Sequence, residues 1–169
     1  MTSYDVPRTE RYSFPQGNAF GATTASRSFL GPQGKKGLVR DIIATITATM
    51  VGTTSVPEIR VGTAASDNSF ARWLLGTSAT AGLGTGAFRA RTLALAAAGR
   101  TGGIPVQLND FANHIFLEGN NASGTASIAG TASTFTFLPA DTAFFITGVA
   151  GVGGTPAGTA DVVVDIDWF

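Results

Sequence analysis

Cysteine is absent from the 169 residues, which excludes a disulfide framework, a thiolate metal site and a cysteine nucleophile together. Histidine occurs once, at position 114, so any chemistry needing an imidazole base has a single residue to draw on. Charge is scarce as well. The 11 basic and 11 acidic residues make up 13% of the chain and cancel to zero, against about 25% in ordinary globular proteins. A folded monomer of 17.2 kDa exposes about 7,800 Å². That leaves about 350 Å² per charge, around twice the usual spacing. No basic excess exists to make a nucleic-acid footprint or to hold an anionic membrane surface. Sparse, balanced charge favours association instead; a monomer solubilised by its Thr, Ser and Gly residues is the other reading. Long apolar runs are missing too. No window approaches the ~20 apolar residues of a membrane span, and no apolar stretch follows the first charges as in a secretory signal. The expectation is synthesis and assembly in a cytoplasm.

What the chain does have in quantity is glycine, 22 residues, and phenylalanine, 12. Residues 1–35 read as an N-terminal arm, because Pro7, Pro15 and Pro32 punctuate it and Gly17, Gly21, Gly31 and Gly34 discourage regular structure. The arm nevertheless carries Tyr4, Tyr12, Phe14, Phe20 and Phe29, interleaved with Arg8, Arg11 and Arg27. Aromatics and Arg are enriched in interface cores, so the arm suits contact with a partner; packing on its own domain is the alternative. Residues 36–169 form the body.

Within the body the dominant signal has period two. Ile42, Ala44, Ile46, Ala48 and Met50 alternate with Ile43, Thr45, Thr47 and Thr49, a long strand with one face inward. Strands follow over 58–61, 69–75, 113–118, 134–137, 143–147 and 160–169. In the last, Val162, Val164, Ile166 and Trp168 share one face and Asp161, Asp165 and Asp167 the other. Residues 148–159 read as a long hairpin loop joining the final two strands. Helix competes only over 87–98, where Ala and Arg favour it and Gly99 would stop it. Six to eight strands with glycine turns and at most one short helix predict an all-β, two-sheet β-sandwich, plausibly a jelly roll.

Chemistry is hard to find. His114 has no G-x-S-x-G partner motif and reads as a packed or surface histidine. Asp165 and Asp167 alternate with core residues, as on any solvated strand face. The Gly82-Leu83-Gly84 and Gly151-Val152-Gly153-Gly154 patterns lack the strand–helix setting and lysine of a nucleotide site. The two lysines, Lys35 and Lys36, sit in a basic turn between Gly34 and Gly37. Trp73 and Trp168 could stack on a sugar, but core is the default for both. No catalytic, cofactor or metal residues are predicted, and an enzyme is the reading with least support.

The Gly-Pro-Gln-Gly-Lys-Lys-Gly turn (31–37) before a long Ile/Thr/Ala strand, the Gly99-Arg-Thr-Gly-Gly-Ile-Pro105 turn, and the Gly-rich loop running into Asp-Val-Val-Val-Asp-Ile-Asp-Trp-Phe resemble the small decoration, or cement, proteins of tailed-bacteriophage heads. The resemblance covers the body well and the arm poorly. It implies a virion structural protein on the capsid exterior, a homotrimer that bridges capsomers by binding the major capsid protein, with no nucleic acid or membrane partner. It also implies that the arm touches the shell. That maps contact onto Tyr4, Arg8, Arg11, Tyr12 and Phe14, with Lys35 and Lys36 at the junction, and predicts that deleting residues 1–20 abolishes binding but spares the fold. A tail-fibre or receptor-binding tip, with Trp73 exposed for sugar, and a free carbohydrate-binding module remain as alternatives.

Overall fold

The computed structural model describes residues 8–16, 20–21, 23–76, 80–90, 106–108, 117–119, 126–128 and 137–169. Every regular element among them is a strand: β1 Arg8–Gln16, β2 Ala25–Leu30, β3 Gly37–Val51, β4 Glu58–Gly62, β5 Ala71–Leu74, β6 Gly86–Arg89, β7 Val106–Leu108, β8 Leu117–Gly119, β9 Ala126–Ile128, β10 Ala143–Val149 and β11 Ala157–Trp168. One sheet has the order β1-β11-β3-β6 and the other β2-β10-β4-β5-β7, while β8 and β9 pair separately. All the ladders are antiparallel. The eight strands of the two main sheets other than β7 interleave the chain's two ends as a jelly roll does. The protein is a two-sheet β-sandwich.

Alternation explains how the layers meet. From the first sheet Phe14, Val162, Val164, Ile166, Trp168, Ile42, Ala44 and Ile46 enter the core; from the second come Phe144, Ile146, Ile59, Val61, Ala71 and Trp73. In β11 the residues at 162, 164, 166 and 168 are buried as the period-two pattern predicts. The β3–β11 ladder slips by one residue where Val39 faces Ile166 and Asp41 faces Asp165, which leaves Arg40 as an extra residue in β3. This bulge lets Val39 and Ile42 both reach the core with Arg40 exposed between them.

Four expectations need correction. The stretch 1–35 is not an appendage over its described spans. β1 pairs with β11 along nine consecutive positions and β2 with β10 along six, so both belong to the sandwich. Their Pro and Gly neighbours mark the ends of edge strands, where such residues are tolerated. Phe14 and Phe20 are fully buried, so a deletion of residues 1–20 removes core as well as surface. Residues 148–159 do not close a hairpin, because β10 and β11 lie in opposite sheets and the connection crosses between them. Finally, residues 87–89 are strand paired to β3, while Ala90 after them is helical and buried; residues 91–98 of the expected helix lie outside the described residues. So do residues 113–116 and 134–136 of two expected strands, and His114 with them.

Candidate partner-binding surface

The end of the sandwich where β1 begins and β11 finishes gathers most of the residues expected at a contact. Arg8 stands opposite Trp168 in the β1–β11 ladder. Lys36 exchanges two backbone hydrogen bonds with Phe169, donating at 3.3 Å and accepting at 3.0 Å. The 31–37 turn therefore wraps the finish of β11. Its glycines have a steric cause: a Cβ on Gly31 would overlap the Trp168 indole, and one on Gly37 would come within 2.6 Å of it. Gly34 turns the chain at φ +72°, and its N–H donates to Asp141 Oδ1 at 2.8 Å.

Behind this end lies an aromatic cluster. The Tyr12 ring meets Phe144 at 5.0 Å, Phe29 at 5.4 Å and Trp168 at 6.3 Å between centroids, all edge-on. Its hydroxyl donates to Glu10 Oε2 at 2.7 Å, and Glu10 also meets Arg8 at 3.3 Å. Burial, with the Glu10 hydrogen bond second, pushes the Tyr12 hydroxyl well above its ordinary pKa. Tyr12 is thus half-buried and neutral, and tethers Glu10 more than it offers itself to a partner.

On the outer face of the first sheet, Arg11, Asp165 and Asp41 form a row across three strands. Arg11 donates twice to Asp165, at 2.8 and 3.0 Å. Arg89 reaches Asp41 from β6 at 3.1 Å. Two carboxylates that face each other across a ladder would repel; a guanidinium on each flank offsets that. One step further, Asp167 accepts from Thr9 at 2.5 Å and from Arg40 at 3.4 Å. The second sheet repeats the device with the signs reversed. Arg60 and Arg72 face each other, and buried Glu58 binds both, accepting from Arg72 Nε at 2.8 Å.

Of the expected contact residues, the structure brings Arg8, Lys35 and Lys36 to one exposed or half-exposed end. It places Arg11 beside them in a structural ion pair and Tyr12 in the aromatic cluster. Phe14 is fully buried and is withdrawn as a contact, because it shares the inward face of β1 with Tyr12 and enters the core, alternating with exposed Arg11 and Ser13. Tyr4 lies outside the described residues. Trp73 is also fully buried, which removes the exposed ring expected of a sugar-binding tip. Sequence reasoning missed Asp41, Glu58, Arg72 and Arg89. Asp41 and Glu58 each interrupt an apolar strand, and that was the available signal. Among the described residues no group of three or more His, Asp or Glu side chains is placed to hold a metal ion.

No protein-family model matches the chain, no curated protein matches it, and no solved structure matches its fold.

Proposed function

We propose that this chain is a structural subunit that decorates the outside of a bacteriophage head, binding the major capsid protein as a homotrimer and reinforcing capsomer contacts. The observation that carries this reading is how the charges are spent. Asp165, Asp41, Asp167 and Glu58 each bind an arginine on the same or a neighbouring strand, and Asp67 and Asp141 tie turns. Those polar side chains serve the sandwich, which fits a scaffold better than a catalyst. The jelly-roll order is one that viral capsid domains use, among other proteins, so the fold supports the setting by analogy only. On this reading the chain is made in the host cytoplasm, has no enzymatic activity or cofactor, and engages neither nucleic acid nor membrane. The shell contact falls at the charged end, on Arg8, Lys35 and Lys36.

The test is the copy number in purified virions, measured by quantitative mass spectrometry against the major capsid protein. A one-to-one ratio, or a simple fraction of it, is the expected result. A handful of copies would move the chain to the tail, and absence from virions would overturn the proposal.

A further inference from the structure

Among the described residues, the turns at the opposite end of the sandwich carry no charge. The sequence carries no Asp, Glu, Lys or Arg over 42–57, 73–88 or 142–160, and the fold brings parts of all three stretches together. Val51 at the finish of β3 pairs with Ala157 at the start of β11. The 52–55 turn bonds to the β10–β11 connection: Thr54 N–H donates to Val152 O at 2.8 Å, and Val152 N–H donates to Ser55 O at 2.8 Å. From the 73–88 stretch, Leu83 O accepts from Met50 N–H at 3.0 Å. Gly153, at φ +83°, packs on Thr53 and Thr54 so closely that a Cβ would collide with both. The nearest charge along β4, Glu58, is buried under its two arginines.

The exposed apolar side chains divide between the two ends. Among the described residues, four large ones are exposed: Leu30 and Phe169 at the charged end, and Val51 and Val152, 38% and 54% exposed, at the uncharged end. Around these valines Thr53, Thr54, Gly154 and Thr155 are exposed too.

We propose that this uncharged end is where a second copy of the chain packs, an inference that rests on reading the chain as an assembly subunit and names the surface its copies share. Charge selects the occupant. A partner with charged groups here would lose their hydration with no counter-charge to receive them. A copy of the same surface brings none, and copies placed around a rotation axis meet without the like-charge repulsion that symmetry otherwise forces on a charged patch. The cross-bonded turns hold Val152 in place, so little ordering is required on contact.

The experiment is light scattering coupled to size exclusion, with sedimentation velocity over a concentration series, on the full chain and on Val152→Lys, Thr155→Glu and the charged-end control Leu30→Lys. Circular dichroism and the unfolding temperature establish that each variant is folded. The expected result is a wild-type mass at a multiple of 17.2 kDa. Val152→Lys and Thr155→Glu then weaken association by at least about tenfold, while Leu30→Lys leaves it intact. A wild-type chain that stays monomeric overturns the inference, as do folded Val152→Lys and Thr155→Glu variants with unchanged association. Virion copy number separates the two proposals: a monomer in solution that still occupies heads in capsid-wide numbers sinks the copy contact and keeps the capsid reading.

Discussion

Trp168 shows how one residue recruits others far away in sequence. Its inward direction was legible from alternation with Asp167 and Phe169, but its neighbours were not. Gly31 and Gly37 look like flexible turn residues in the sequence; in the fold they are where a ring occupies the space of a side chain. Gly31→Ala and Gly37→Ala should each cost about 1–3 kcal/mol through overpacking. Thermal unfolding would read this as a loss of about 2–4 °C per kcal/mol for a chain of this size. Trimming the ring with Trp168→Leu should make the alanine nearly neutral; an equal loss in both backgrounds would refute the steric account. Asp67 makes a similar case in a turn. It accepts from Thr63 N–H and Ser69 N–H at 2.8 and 3.0 Å and from both hydroxyls. Burial acts to raise its pKa, but these hydrogen bonds outweigh it and hold the carboxyl below its ordinary 3.8. A carboxyl with a depressed folded pKa stabilises above its unfolded value and loses that contribution as pH falls through the folded one. Asp67→Asn should therefore destabilise at pH 7, and the gap from wild type should close below about pH 3.8, as measured by urea unfolding across pH. A gap that stays constant down to pH 2 would exclude the linkage.

At the scale of elements, what could be read in advance followed burial. β3, β10 and β11 are central strands that carry a core face along most of their length, so period two was plain. β1 and β2 are edges, one side of each paired and the other open, and short runs flanked by Pro and Gly carry too weak a pattern to separate an edge strand from an arm. The crossing between β10 and β11 was illegible for another reason: loop length and composition do not say to which sheet the next strand belongs. Edge strands also show what the ion pairs do. Arg11 ties β1 to β11 while shielding Asp165 from Asp41. Arg11→Ala should destabilise the sandwich, because it leaves two carboxylates facing each other across the ladder with one guanidinium fewer between them. Adding Asp165→Asn should recover part of that loss in a double-mutant cycle by chemical denaturation; no recovery would mean the arginine acts only through packing. A larger change tests the arm directly. Deleting residues 1–20 removes β1, Phe14 and Phe20, so the product should lose cooperative unfolding, where an appendage would leave it unchanged.

For the molecule as a whole, the exposed turns among the described residues divide, those at one end carrying Lys35, Lys36 and Asp141 beside Arg8 at the start of β1, and those at the other carrying no charge. Composition announced the scarcity of charge, but its placement required the fold, since Arg8, Lys35 and Lys36 meet only through the β1–β11 ladder and the turn that embraces Phe169. On the capsid reading these ends divide the work, the charged one toward the shell and the uncharged one toward sister copies. The two contacts should then respond differently to salt. Exposed charges separated by more than about 8 Å are screened at physiological ionic strength, whereas burial of Val51 and Val152 is strengthened by salts excluded from protein surfaces. Arg8→Glu with Lys36→Glu should weaken cosedimentation with heads stripped of the protein by roughly tenfold or more at low salt. The difference from wild type should shrink as sodium chloride rises, and the oligomeric state should not change. Both substitutions sit on exposed side chains, so the fold should survive them. If the doubly reversed variant binds heads as wild type does, the shell contact lies elsewhere on the sandwich. If it binds poorly at every salt concentration alike, the loss is not electrostatic, and the division between a charged and an uncharged end does not govern assembly.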